Sequence, residues 1–171
     1  MLCAMDETWR GAAGSQFEAA IEMLGSALRD CPDDLWQEDL WTDQSMPGFA
    51  QFWYVAYHTL FWLDLYLSGS RDGFVPPAPF TLDELDPAGV LPPRVYTREE
   101  LSTYLAHSAE KCRMTFKHMT DDQAQRPHQI GTRGHTMSFA ELLLYNMGHV
   151  REHAAQLSMF LGQRRASAAT R

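Results

Sequence analysis

The chain has 171 residues, of which 45% are hydrophobic and 21% are charged, and its formal net charge is −8. A chain of this size and hydrophobic content buries enough surface to form a core, which excludes disorder along its whole length. Asp and Glu outnumber Lys and Arg by 22 to 14, so the concentrated positive charge that nucleic acids and anionic membranes attract is absent.

The cysteines and the N-terminus indicate in which cellular compartment the protein is expected. The three cysteines are widely spaced and form no C-x-x-C pair, which indicates a reducing environment. The first residues lack the basic and apolar regions of a secretory signal, so we expect a cytoplasmic protein. The longest apolar stretch, residues 49–67, is interrupted by Gln51, His58 and Asp64, and this predicts a buried helix instead of a membrane span.

Capping patterns and apolar spacing predict the first two helices. Ser15 and Glu18 form a capping-box pattern ahead of an apolar stripe, which predicts a helix from Ser15 to about Arg29. The second helix is predicted to start near Pro47 and to run to about residue 67. It carries eight of the 20 aromatic residues and is apolar nearly all round, so we expect it to be central in the fold or shared with a second subunit.

Two more helices follow a long connection. Residues 68–96 contain six prolines, which excludes a long helix there and predicts a crossover in a bundle. The pattern Thr97-Arg98-Glu99-Glu100 predicts a third helix to about Met119, with Cys112 on its apolar side. Residues 126–137 fit a short hairpin or an irregular loop.

The last helix is predicted to begin at the capping pattern of Ser138 and Glu141 and to end near Leu161, where Gly162 is a stop signal. The expected architecture is therefore an all-α four-helix bundle with a long Pro-rich crossover between helices 2 and 3. We expect a single domain over residues 1–161 and a flexible basic C-terminal tail over residues 162–171.

Two histidines on the last helix are candidate metal ligands. His149 and His153 are four residues apart, about 40° around the helix, on the same side as Leu142 and Phe160. Buried imidazoles need polar partners, and one metal ion satisfies both. An H-x-x-x-H pair alone also arises by chance, so a third ligand is needed to distinguish a metal site from a structural pair.

His58 is the candidate third ligand, since it lies near the middle of the aromatic helix, at about the same bundle height as His149. Four rival histidines are interpreted as surface residues: His107, His118, His128 and His135. The string from His149 to His153 also matches the H-x-x-E-H of inverzincin peptidases, but too little chain follows for their distant acidic ligand. Glu152 remains a candidate proton-transfer residue.

These strings resemble a known family. Residues 56–64 (AYHTLFWLD), the Pro-rich connection and residues 145–157 (YNMGHVREHAAQL) are similar to the DinB/YfiT-like metalloproteins, a superfamily of small bacterial four-helix bundles. The resemblance implies an up-down-down-up bundle, one divalent metal ion held by His58, His149 and His153, and a homodimer. Zinc and nickel are the metals expected for a three-histidine site with an open position.

The resemblance also implies an activity. Members of the family include enzymes that transfer a low-molecular-weight thiol to an electrophilic small molecule, with the metal lowering the pKa of the thiol. In that interpretation Tyr54 and Trp62 wall the substrate pocket, and Asn146 or Glu152 orients the substrate. The resemblance does not include the additional C-terminal domain of the mycothiol-dependent isomerases, so we do not expect the isomerase reaction.

Two alternatives remain open at the level of sequence. A metal-activated water with Glu152 as general base would make the protein a hydrolase. The second alternative is not an enzyme. It is a metal-binding stress-response scaffold that binds a partner through the aromatic helix. We predict a small-molecule substrate and no binding to nucleic acid or membrane.

Overall fold

The computed structural model describes residues 7–42, 44–130 and 135–169, without the side chains of Ile130 and His135. The described chain is mostly helical, as predicted, but it also contains a two-stranded hairpin. In chain order the elements are α1 (Glu7–Asp30), α2 (Phe52–Ser68), α3 (Arg98–His118), α4 (Asp121–Gln125), β1 (Pro127–Ile130), β2 (His135–Ser138) and α5 (Phe139–Ala169).

The four long helices enclose one core. Helices α1 and α2 each pack against both α3 and α5. Helix α2 is central, as its all-round apolar sequence predicts, and 13 of its 17 residues are buried. Cys112 on α3 is fully buried, which confirms its predicted place in the core. None of the described helices combines the length and the apolar character that crossing a membrane requires.

Three predicted helix ends are wrong. Helix α1 already includes Glu7, so Ser15 lies inside the helix and does not cap it. Residues 47–50 form a turn, and Gln51 pairs with Asp39 in an isolated bridge before α2 begins at Phe52. Helix α5 passes through Gly162 and continues to Ala169. A glycine inside a helix costs only about 1 kcal/mol, so Gly162 alone does not end it.

The extended end of α5 contacts the rest of the protein. Arg164 forms an ion pair with Glu38 at 3.2 Å, and Arg165 forms one with Asp30 at 3.3 Å. Both arginines belong to the segment that the sequence predicted to be a flexible basic C-terminal tail, residues 162–171. Residues 170–171 of that predicted tail lie outside the described residues.

Local capping explains the other helix starts. The Thr97 hydroxyl accepts the amide of Glu100, and the Glu100 carboxylate accepts the amide of Thr97, which confirms the predicted capping box. Ser138 and Glu141 form the same reciprocal contacts at the start of α5. A further box at Thr120 starts the short helix α4, which the sequence analysis missed.

The segment 126–137 is a hairpin, the first of the two predicted alternatives. Its strands pair antiparallel, with His128 opposite Met137, and residues 131–134 between them lie outside the described chain. The hairpin lies close to the end of α2, where Gly69 adopts a positive φ of 68°. A Cβ at Gly69 would lie 3.1 Å from the His128 ring and 3.2 Å from the Phe139 ring.

Residues 69–97 connect α2 to α3 and contain the 3₁₀ turn Asp83–Leu85. Aromatic contacts hold this connection against the helices: the Phe80 ring stacks on Tyr104 at 4.4 Å. The Tyr57 hydroxyl donates to the carbonyl of Thr81 at 3.2 Å. The 3₁₀ turn therefore lies beside α2, and this places Glu84 next to His58.

Candidate metal centre

Three histidines meet where α2 packs against α5. The ligand nitrogens of His58, His149 and His153 all lie within 4.8 Å of one another. Their ring centroids are 5.3 Å apart for His58 and His149, 5.2 Å for His58 and His153, and 4.6 Å for His149 and His153. The structure thus brings together the three residues that the sequence singled out.

The spacing of the nitrogens suits a tetrahedral ion. The Nε2 atoms of His58 and His149 are 3.4 Å apart. Two nitrogens bonded to one tetrahedral zinc ion at about 2.0–2.1 Å would be separated by about 3.3 Å. The Nδ1 atom of His149 has no hydrogen-bond partner among the described residues. The Nε2 atom of His149 is thus placed to share an ion with His58, while its Nδ1 atom has no acceptor among the described protein groups.

The charge state of the histidines also fits metal binding. Burial, together with the smaller effects of the neighbouring His153 and His58, lowers the pKa of His149 to about 3. Burial is also the main cause that lowers the pKa of His153, although Gln156 opposes the shift. Both rings are therefore neutral at neutral pH, which is the form that binds a metal, and binding would displace no proton from them.

Glu84 orients His58. Its Oε2 atom lies 2.8 Å from Nδ1 of His58 and accepts the Nε1–H of Trp62, also at 2.8 Å. A carboxylate only accepts, so Nδ1 of His58 carries the proton and Nε2 keeps its lone pair facing His149. Burial favours a raised pKa for Glu84, but the interactions with His58, Tyr54 and Trp62 outweigh it, and the pKa is lowered.

His153 is oriented in a similar way. Its Nδ1 atom lies 2.8 Å from Oε1 of Gln156, one helical turn along α5. The amide oxygen accepts the Nδ1 proton, which leaves Nε2 of His153 with the lone pair. Two of the three histidines thus have a protein group that sets their tautomer, the arrangement typical of metal-ligating histidines.

The predicted aromatic residues flank His58. The rings of Tyr54 and Trp62 lie 6.2 Å and 6.3 Å from the His58 ring. Both also interact with the Glu84 carboxylate, so they help to hold the residue that orients His58. Tyr54 is buried and Trp62 is half-buried.

The predicted polar residues lie on α5. Asn146 is fully buried, and its Nδ2–H donates to the carbonyl of Leu63 at 3.0 Å, which ties α5 to α2. Glu152 is exposed next to His153, and its charge acts on that ring. The structure therefore places Asn146 in the helix interface below the histidines and Glu152 at the solvent edge.

The three histidines are half-buried, and the His58 side chain keeps 30% of its surface exposed. In the part of the chain that the structure describes, no further His, Cys, Asp or Glu joins the group. Cys31 and Cys112 are buried free thiols, and burial raises the pKa of each to about 12. A metal bound by the three histidines would thus keep a coordination position that the described protein groups do not fill.

The rival histidines lie elsewhere. His107 and His118 are exposed on α3, as predicted. His128 is half-buried, with its ring 5.2 Å from that of Phe139, and it lies outside the histidine group. The side chain of His135 lies outside the described residues.

Glu84 is the functional residue that the sequence analysis missed. It lies between prolines in a connection rich in acidic residues, and neither spacing nor a motif links it to His58. The one available signal was chemical, because a buried ligand histidine needs an acceptor for its second nitrogen.

The Glu84→Gln variant is expected to bind zinc about 10- to 100-fold more weakly, since the carboxylate that holds His58 loses its charge. Competition with a chromophoric chelator measures this affinity. The matched control is Glu99→Gln, which removes an exposed carboxylate on α3 and should leave the affinity unchanged. Equal affinities of wild type and Glu84→Gln would show that Glu84 does not support the ligand.

Comparison with known proteins is consistent with this geometry. Searches of curated proteins and of solved structures found no match. The family model described as the DinB superfamily matches residues 16–157, more than four fifths of the chain, and this span contains all three histidines. With a match of this extent, the chain belongs to the DinB superfamily.

Proposed function

We propose that the protein is a metal-dependent enzyme that transfers a low-molecular-weight thiol to an electrophilic small molecule. The half-buried group of His58, His149 and His153, without a fourth ligand among the described residues, carries this proposal. Structural zinc sites use four protein ligands, whereas catalytic sites use three and keep one position open.

Zinc is the metal we favour, with nickel second. The 3.4 Å separation of the His58 and His149 nitrogens supports a tetrahedral ion, and zinc prefers that geometry. Nickel also accepts imidazole ligands but prefers square-planar or tetragonal surroundings.

The nucleophilic sulfur is inferred to come from a substrate. Both cysteines in the described chain are buried, and their raised pKa keeps them protonated at neutral pH. A divalent metal held by the three histidines would lower the pKa of a thiol bound at its open position and so supply the nucleophile.

The chain's own residues would position the reactants. Tyr54 and Trp62 flank His58 and wall the site. The thiol sulfur forms a bond to the electrophilic carbon, and the leaving group departs with the electron pair of the bond that breaks. The thiol proton passes to the exposed Glu152 carboxylate, which lies next to His153, and from there to solvent. Asn146 keeps α5 in register with α2 beneath the site.

Loss of free thiol tests this function. The full chain with one equivalent of Zn²⁺ or Ni²⁺ is incubated with an aryl chloride electrophile and with L-cysteine or glutathione. We expect thiol consumption and thioether formation at least tenfold above the metal-free rate for one of these combinations. His149→Ala should fall to the metal-free rate, whereas His118→Ala, which changes an exposed histidine, should match wild type.

Other outcomes would contradict the proposal. Metal-dependent cleavage of an ester without added thiol, lost in Glu152→Gln, would indicate the hydrolase instead. Metal binding without any turnover, combined with the capture of one specific partner, would indicate the scaffold.

We also infer that the long helices are arranged up-down-down-up, with residues 69–97 as the crossover. Two observations support this arrangement: α1 and α2 each pack against α3 and α5, and a long connection without a long helix joins α2 to α3.

A further inference from the structure

A small cavity of about 100 Å³ lies beside the histidines, where α2, β1 and α5 meet. One side of it is apolar and belongs to the helices. The other side is polar and belongs to the residues just after α2 and to β1. The apolar side consists of Trp62, Leu65, Tyr66 and Leu142, and the polar side includes Ser70, Arg71, His128 and Gln129.

The cavity and the histidines share a wall. The Trp62 ring lies 6.3 Å from His58, and the Tyr66 ring lies 6.4 Å from His149. Trp62 and Tyr66 follow His58 by four and eight residues, on the same face of α2. The cavity lining on α2 runs from Trp62 to Gly69, so its middle is about 11 Å from His58 at 1.5 Å per residue.

The polar side favours an anion. The chain has a net charge of −8, yet the described lining contains no Asp or Glu. Within residues 7–42, 44–130 and 135–169, no carboxylate forms an ion pair with Arg71. The Ser70 oxygen accepts the amide of Asp72 at 3.0 Å, so its hydroxyl proton is available to a ligand. A carboxylate matches this set, since a guanidinium binds it with two parallel hydrogen bonds.

The volume limits what enters. A water molecule occupies about 30 Å³, so 100 Å³ holds about three waters, or a carboxylate with two or three carbons. A larger ligand must therefore extend out of the cavity, and the route from the cavity to the histidines passes Trp62 and Tyr66, which border both. The distance of about 11 Å corresponds to roughly three extended peptide residues.

We propose that this cavity binds the carboxylate end of the thiol substrate, with Arg71 as its counter-ion, while the sulfur lies at the three histidines. The substrate class is thus a thiol of about tripeptide length with a terminal carboxylate. This assignment rests on the proposed thiol transfer, but the carboxylate contact itself can be measured without it.

Binding of S-methylglutathione to the full chain tests the proposal, with and without one equivalent of Zn²⁺. The methyl group caps the sulfur, so binding depends on neither metal nor turnover. By calorimetry, we expect Arg71→Gln to bind at least tenfold more weakly than wild type. Arg29→Gln, which removes an exposed arginine at the end of α1, should bind like wild type.

A second ligand isolates the carboxylate. The diamide of S-methylglutathione keeps the α-ammonium group of its γ-glutamyl residue but has no carboxylate, so it should bind wild type and Arg71→Gln with similarly weak affinity. Equal affinity of wild type for the acid and the diamide would overturn the proposal, as would an Arg71→Gln affinity equal to wild type. Thiol transfer that is unaffected in Arg71→Gln would overturn the subsite but leave the proposed function standing. Arg71-dependent binding without any transfer would support the subsite and contradict the proposed function.

Discussion

Replacing His149 by alanine is expected to weaken zinc binding by more than 100-fold. The Nε2 atom of His149 faces that of His58 at 3.4 Å, and burial keeps the His149 ring neutral, so this residue is placed to supply one of the three metal bonds. Structural zinc sites with four ligands gain about 10–16 kcal/mol, or roughly 3 kcal/mol per ligand. A loss of about 3 kcal/mol corresponds to more than a 100-fold change in affinity.

Metal content after reconstitution and chelator competition together measure this effect. Wild type should hold one equivalent of zinc through dialysis, and His149→Ala should hold almost none. His118→Ala is the matched control, because that ring is exposed on α3 away from the triad. Circular dichroism of the metal-free proteins checks that each variant keeps its helices. Unchanged zinc stoichiometry and affinity in a folded His149→Ala protein would exclude the three-histidine site.

The triad was predictable because its signals are local or periodic. Four-residue spacing places His149 and His153 on one helix face, and the apolar surroundings of His58 place it in the bundle interior. Glu84 was not predictable in this way. It reaches His58 only because the connection folds back onto α2 through contacts such as Phe80 with Tyr104. Such contacts between distant segments leave no periodic pattern in the sequence.

The helix ends show the same difference between local signals, which the sequence reveals, and contacts with other segments, which it does not. The boxes at Thr97 and Ser138 were predicted correctly, since their reciprocal hydrogen bonds involve only four consecutive residues. The same pattern at Ser15 failed because residues upstream also form helix, which a local pattern cannot exclude. Gly162 failed as a stop because one glycine costs a helix only about 1 kcal/mol. Beyond it, Arg164 and Arg165 form exposed ion pairs with Glu38 and Asp30.

A second polar group, on the face of α2 towards α3, is important for stability. Asp64 keeps only 1% of its side-chain surface exposed and bonds the Nζ of Lys111 through Oδ1. Its Oδ2 accepts the hydroxyl proton of Tyr104 at 3.1 Å. Lys111 also donates to the backbone carbonyl of Asp64 at 3.0 Å and to the Ser68 hydroxyl at 2.6 Å. All three protons of the Lys111 ammonium are therefore used, and the pair joins α3 to α2.

The Lys111→Met variant is expected to lose about 3 kcal/mol of unfolding free energy. Methionine keeps much of the side-chain volume but removes the ammonium group that pairs with the buried Asp64 carboxylate. Among the described residues that can carry a positive charge, only the exposed His107 ring, 3.7 Å from Asp64 Oδ1, then remains beside that carboxylate, and such losses cost about 3–5 kcal/mol. The lower end applies because Lys111 is 29% exposed and water reaches its end of the pair. Urea unfolding measures the loss of unfolding free energy. In thermal unfolding, the same loss should lower the melting temperature by roughly 6–12 °C.

Two further variants test the cause of this loss. Lys117→Met makes the same substitution at an exposed position of α3 and should change stability by no more than about 0.5 kcal/mol. Asp64→Asn combined with Lys111→Met removes the buried charge but keeps an acceptor for Tyr104, so it should recover at least half of the lost stability. A double variant no more stable than Lys111→Met would mean that lost packing of the lysine stem, not the unpaired carboxylate, destabilises the protein.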